Sequence, residues 1–179
     1  GQDADFSLER FESRYKTDLG NDLGNLLSRL FHMITTYENS KVPKVTLNEE
    51  FEQKLRLNFD AVKQKAMEHF DRFQFNQGLE QIFIFIRSIN KYADERTPWK
   101  LAKSDLNEDQ EKLKTCLGEM VESLRLAIQM LAPVMPGVHK KVNDLLGLPE
   151  CENWEADLLW DYRLEGKSLG PKTILFPRD

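Results

Sequence analysis

The chain has 179 residues, of which 40% are hydrophobic and eleven are Phe, enough apolar material for one sizeable core and too much for a disordered chain. Its formal net charge of -5 excludes non-specific nucleic-acid binding, which draws on phosphate counterions released by an excess of Lys and Arg, so any RNA contact is local and neither DNA nor a membrane is an expected partner. No run of about 18 uncharged apolar residues occurs, GQDADFSLER lacks the parts of a signal peptide, and Cys116 and Cys151 are far apart with no His cluster beside them, which points to a cytoplasmic protein with reduced thiols and no zinc site. The first residue is Gly rather than Met, as expected of a piece of a longer chain.

Apolar residues recur at Leu19, Leu23, Leu26, Leu30, Ile34 and Tyr37 in steps of three or four, the helical period. Phe11 and Tyr15 extend the series, while Gly20 and Gly24 weaken it, so two helical pieces are expected, 7 to 19 and 21 to 38, with a bend near Gly20. The segment NSKVPKV (39–45) is a turn. Thr46 and Glu49 match a capping box opening a helix that carries Phe51, Leu55, Phe59, Val62, Ala66, Phe70 and Phe73. Asn76, Gln77 and Gly78 interrupt it, and Leu79, Ile82, Ile86, Ile89 and Ala93 form the next stripe. The run IFIFI (82–86) has strand-like composition, but the spacing continues helical well beyond it and no partner strand is near, which favours a helix buried on most sides.

Thr97 and Pro98 read as N-cap and first residue of a short helix, with Trp99 in its first turn. Asp105, Glu108, Asp109 and Glu111 suit the positive end of the next helix, whose core stripe is Leu113, Leu117, Met120, Leu124, Ile128 and Leu131, ended by APVMPG. Residues 137 to 147 form another helix, stopped by Gly147 and Pro149. Beyond 150, Trp154 and Trp160 precede EGKSLGPKTILFPRD, whose Gly and Pro residues exclude a long helix and whose ILF triplet reads as extended. The expected architecture is all-α, an antiparallel bundle of about five helices with an irregular C-terminal tail.

No glycine-rich phosphate loop, H-E-x-x-H or nucleophile elbow occurs, and His32, His69 and His139 stand apart, so the chain reads as non-catalytic. The segment 21–37 is more informative. At about 100° per residue, Asn21, Ser28, Arg29 and His32 fall within about 60° of Asn25, and Leu23, Leu26, Leu30 and Ile34 lie opposite. Solvated faces elsewhere carry Glu, Lys and Gln, whereas Asn costs helix propensity. Asn offers donor and acceptor and Arg a donor fork, the chemistry that reads edges of unpaired bases. A solvated face with Asn21 as N-cap is the alternative. Trp99 divides in the same way between a core residue and a rigid indole on which a base stacks, with phosphates held by Lys91, Arg96, Lys100 and Lys103. Between residues 87 and 103 these four and Arg87 face only Asp94 and Glu95, a local excess of positive charge.

The segments RYKTDLGNDLGNLLSR (14–29), INKYADERTPWKLAK (89–103), LRLAIQMLAPVMP (124–136) and ILFPR (174–178), in that order, resemble the C-terminal anticodon-binding domain of methionyl-tRNA synthetases, class I aminoacyl-tRNA synthetases. The resemblance implies a helical bundle that recognises the CAU anticodon of methionine tRNA, through an Asn-x-x-x-Asn-x-x-x-Arg face and a Pro-Trp pair. Carried over, these are Asn21, Asn25, Arg29, Pro98 and Trp99. It also implies an enzyme that ligates methionine to its tRNA with ATP and Mg2+, and with Zn2+ held by a cysteine knuckle. The catalytic Rossmann-type part with its HIGH-like and KMSKS motifs does not occur in this chain, nor do the knuckle cysteines, so no cofactor is expected here. Partners implied are the anticodon stem-loop and the family's own catalytic domain. The expected division is a bundle over 1–150 and a tail over 151–179 that packs on the bundle or on that catalytic domain. Two other readings are a protein-interaction or structural bundle and the related domain of a cysteine, valine, leucine or isoleucine synthetase, against which the joint Asn, Arg and Pro-Trp pattern speaks.

Overall fold

The helical spacing along the chain is realised in a computed structural model that describes residues 10, 12–150 and 153–169. In chain order the elements are α1 (Lys16–Asp18), a π-helical segment (Leu19–Gly24), α2 (Asn25–Tyr37), α3 (Glu50–Asp71), α4 (Phe75–Arg96), the short α5 (Pro98–Leu101), α6 (Asn107–Leu131) and α7 (Pro136–Leu145). Among the described residues there is no strand, only an isolated bridge between Lys41 and Ser168. The all-α bundle expected from the sequence is the fold observed. Cys151, Phe11 and the ILF triplet lie outside the described residues.

Three local expectations are corrected. The bend near Gly20 is a π-helical stretch, LGNDLG, so the helical pieces are joined by a widened turn closed by i→i+5 bonds rather than broken. The capping box of the next helix is Glu49 with Glu52, not Thr46 with Glu49: the helix begins at Glu50 and Glu49 N–H donates to Glu52 Oε1 at 3.2 Å. Thr46 is spent elsewhere, its hydroxyl donating to Glu111 at 2.9 Å, and the backbone amides of Thr46 and Leu47 donate to Thr115 Oγ1 at 3.3 and 3.1 Å. Asn76, Gln77 and Gly78 lie in the first turn of α4, and the reversal falls at Arg72–Gln74. Gly78 belongs inside the helix because the Phe70 ring occupies the space a Cβ would need.

The core lies where α4 packs on α3 and α6. In the IFIFI run, Ile82, Phe83, Phe85 and Ile86 are fully buried and Ile84 is exposed, a helix covered on most sides. Tyr15 stacks on Phe83 at 5.6 Å, fixing the chain entry to α4. At Gly118 a Cβ would stand 2.9 Å from the Pro43 carbonyl oxygen, so glycine lets the 41–49 loop lie against α6.

Helix α6 departs most from expectation. The sequence implies one core stripe and a wet opposite face, yet every residue from Thr115 to Leu131 is buried, including Glu119, Glu122, Ser123, Arg125 and Gln129. The far side is roofed by the stretch from Trp154 to Tyr162. Arg125 donates to Glu122 at 2.8 Å and to the Asp157 carbonyl at 3.0 Å, and also bonds the Leu159 carbonyl. Glu122 Oε2 accepts from the amides of Asp161 and Tyr162 at 2.5 and 2.6 Å. Glu119 accepts from Arg56 at 2.6 Å and from the Tyr162 hydroxyl, and burial raises its pKa above the ordinary carboxylate value. Trp154 Nε1 donates to the Gln129 carbonyl at 2.6 Å and Trp160 meets Phe59 edge-on at 5.5 Å. Removing one partner of a buried ion pair leaves an uncompensated charge, at a cost of about 3–5 kcal/mol. Arg125→Ala should therefore lower the melting temperature by about 10 °C, at roughly 2–4 °C per kcal/mol, and protease should cleave first between residues 150 and 165; scanning calorimetry and timed proteolysis check both.

Candidate nucleic-acid interface

The polar face of α2 and the segment after α4 meet. Arg29, half-buried, places its guanidinium 4.8 Å from the centroid of the Trp99 ring and donates to Asp94 Oδ1 at 2.7 Å. Residues seventy positions apart in sequence thus form one Asp94–Arg29–Trp99 stack, in which the cation sits on the electron-rich ring face. Asn21, Asn25 and His32 are exposed along the same stretch. The π-helical segment ends at Gly24, so the wider turn falls between Asn21 and Asn25 and rotates Asn21 relative to its place on an ideal α-helix. Two bonds hold this segment to α4: Arg87 Nε to Asp22 Oδ2 at 3.2 Å and Asn90 Nδ2 to the Asp22 carbonyl at 3.3 Å.

Trp99 is half-buried and its neighbour Pro98 buried. Thr97 does stand at the N-cap position of α5, but its side chain caps nothing; it adopts a left-handed conformation, φ +49. Its amide donates to the Ala93 carbonyl at 2.9 Å and its carbonyl accepts from Lys100 at 2.9 Å. A β-branched residue at positive φ is strained, and here it marks the sharp exit from α4 that turns Trp99 toward Arg29.

Of the cations expected to hold phosphates, Arg96 is not on the rim. Its side chain is 5% exposed, paired with Glu52 and 3.0 Å from Glu49, because the last turn of α4 packs on the first turn of α3. Burial works to lower its pKa, and the hydrogen bond with Glu52 outweighs it, so the pKa is raised. Lys91 is exposed and 3.9 Å from Glu95. Lys100 and Lys103 are exposed, and among the described residues neither has an ion-pair partner. The positive excess read from the sequence is therefore largely neutralised, and what stays open is Lys100 and Lys103 beside the Trp99 stack.

Sequence reasoning missed Asp94 and Glu52. Asp94 was visible only as a charge on the outer face of α4; it takes on a role once α2 is laid beside that helix. Glu52 carried a signal, being three residues after Glu49, the spacing of a capping pair.

The other concavity of note, about 520 Å³, lies between α7 and Trp154 and is lined by Pro133, Pro136, His139 and Asn143 among others. His139 is lowered in pKa by burial and shared between Gln129 and Asn143 at 3.1 and 3.2 Å, a packed histidine. Among the described residues no group of three or more His, Cys, Asp or Glu is placed to hold a metal ion. Among the same residues no helix is long and apolar enough to cross a membrane.

Comparison with known proteins places the chain and its fold. No protein-family model matches the chain. The methionine–tRNA ligase of Caldanaerobacter subterraneus is 38% identical over 179 residues, covering 99% of this chain and 28% of that protein. The Lactococcus lactis ligase is 35% identical over 182 residues, covering 99% and 27%. The crystal structure of apo Mycobacterium tuberculosis methionyl-tRNA synthetase superposes with a TM-score of 0.84 at 32% identity, over 96% of this chain and 34% of that one; its complex with methionyl-adenylate gives 0.83. The bundle is thus one of the aminoacyl-tRNA synthetase class. Within that class the chain belongs to the methionyl-tRNA synthetase family, and it spans about a third of the length of the relatives it matches.

The strain at Thr97 is testable without RNA. Left-handed backbone costs an ordinary residue about 1–2 kcal/mol, and Asn tolerates it better. Thr97→Asn should raise stability by about 1 kcal/mol in urea titration, with the Arg29–Trp99 contact retained.

Proposed function

We propose that the chain selects methionine tRNA by its CAU anticodon, as the tRNA-reading part of a methionine–tRNA ligase. Methionine activation with ATP belongs to the rest of the enzyme, and the setting is the cytoplasm. The observation that carries this reading is the Arg29–Trp99 contact at 4.8 Å, which joins the two stretches of sequence singled out for base recognition on independent grounds.

The chemistry follows from what each group offers. Trp99 presents a flat ring on which an unpaired base stacks, a contact tolerant of base identity. Discrimination then falls to groups with directional hydrogen bonds. Asn21 and Asn25 supply paired donors and acceptors for base edges, and Arg29 has five donors, of which one is given to Asp94. Pro98, buried and next to Trp99 in the chain, restricts the backbone that presents the indole. Lys100 and Lys103, with Lys91 once it leaves Glu95, hold phosphates. Arg96 takes no part in direct contact.

Fluorescence anisotropy of a labelled anticodon stem-loop, titrated with the 179-residue chain at fixed salt, tests the proposal: the CAU loop should bind more tightly than loops of other anticodons. Trp99→Ala should weaken CAU binding by about 1–3 kcal/mol, the worth of one stacked base, and equal binding by variant and wild type would sink the role given to Trp99. Lys100→Ala should weaken all loops alike and reduce the slope of log K against log salt by about one, leaving the CAU preference intact.

A further inference from the structure

We propose that Glu52, Tyr92 and Arg96 form a positioning clamp that sets how Trp99 is presented to RNA. This rests on the anticodon reading of Trp99 and deepens it, giving Arg96 a role other than the phosphate contact its charge implies.

Four donors converge on one carboxylate. Glu52 accepts from the Glu49 amide at 3.2 Å, from the Tyr92 hydroxyl at 3.0 Å, from Arg96 Nε at 3.0 Å and from Arg96 Nη2. Glu52 is wholly buried and Arg96 is 6% exposed. The Phe51 ring lies 4.7 Å from the guanidinium carbon, and Glu49 is 3.0 Å from Nη2. Every lone-pair direction of the carboxylate has a donor, and the guanidinium is gripped through its planar fork, which fixes orientation as well as distance.

The place of the clamp in the chain gives it a function. Arg96 is the last residue of α4 and Pro98 the first of α5, with only Thr97 between them. Thr97 has no slack, since its amide is tied to Ala93 and its carbonyl accepts from Lys100 and Leu101. An error in where Arg96 sits passes directly to Trp99, and so to the Arg29 stack. Stability alone does not explain the arrangement, because apolar replacements of buried ion networks are often neutral or stabilising. What the fork contributes that an apolar trio lacks is a single permitted geometry.

The test replaces the whole network so that no buried charge is orphaned. Glu52→Leu with Tyr92→Phe and Arg96→Met removes one negative and one positive charge, leaving the net charge unchanged. The folded variant should bind the CAU stem-loop about tenfold less tightly with the salt slope unaltered, because no phosphate contact is lost. With 5-fluorotryptophan incorporated, the 19F resonance of Trp99 should shift or broaden while those of Trp154 and Trp160 stay in place. Wild-type affinity with an unmoved Trp99 resonance would overturn the clamp, and so would a slope reduced by about one, which assigns Arg96 to a phosphate. Arg96→Lys keeps the charge without the fork; it should show the same Trp99 signature with about threefold weaker binding, and it decides the question if the triple variant does not fold. Absence of CAU preference in the wild type defeats the anticodon reading itself, and the clamp is then judged on the 19F signature alone.

Discussion

The constraint on which the rest of the structure turns is the burial, on all sides, of α6 from Thr115 to Leu131. From Thr115 to Leu131 every residue is buried, yet the stretch carries two glutamates, an arginine, a glutamine and a serine. Buried polar groups without partners cost more than most single apolar contacts return, so the chain around α6 is obliged to supply partners. For Glu122 and Arg125 it does so with backbone, and for Glu119 with the side chains of Arg56 and Tyr162. The amides of Asp161 and Tyr162 and the carbonyls of Asp157 and Leu159 are laid across Glu122 and Arg125, while Thr115 takes two amides from the loop ahead of α3. A tail without regular structure thereby acquires a defined path, its own backbone groups being satisfied by side chains of a helix rather than by a neighbouring strand.

The same obligation reaches the candidate site. The loop pinned by Thr115 delivers Glu49 and Glu52 at the start of α3, where the free amides of the first turn favour negative charge. Glu52 is then the carboxylate on which Tyr92 and Arg96 settle, and the end of α4 is fixed relative to α6. Cys116, on the buried face beside this network, has its thiol pushed up to about 12 by burial. A thiol so placed is a packing group rather than a reactive one.

Much of this was legible in the sequence, and what was not has identifiable causes. Apolar spacing gave the helices because burial of one face is a local property repeated every three or four residues. The meeting of Arg29 and Trp99 was legible only through resemblance, since no periodicity relates positions on separate elements. Arg96 was misread for the same reason: a charge within a basic cluster looks like part of the rim until the partner helix is known, and Glu52 lies 44 positions away. On α6, Glu119, Glu122 and Arg125 sit about one turn apart, the ordinary look of a solvated stripe. A roof formed by a distant segment leaves no local trace. The π-helical turn escaped because Gly20 and Gly24 report a weakened α-helix without saying whether it breaks or widens.

The pairing of charges around Trp99 bears on how the surface would discriminate under the proposed reading. Arg29 with Asp94, Arg87 with Asp22 and Lys91 with Glu95 leave few unpaired cations near the indole, in a chain already acidic. Attraction to phosphate is the part of RNA affinity that is blind to sequence, so a surface that spends its cations internally gives up general affinity. Under the proposed anticodon reading, an incoming RNA has to offer Arg29 a better partner than Asp94 and Trp99 a ring to stack on, and a loop whose base edges also satisfy the asparagines meets those demands together. Specificity is a difference between affinities, and it grows when the shared, charge-driven part is small.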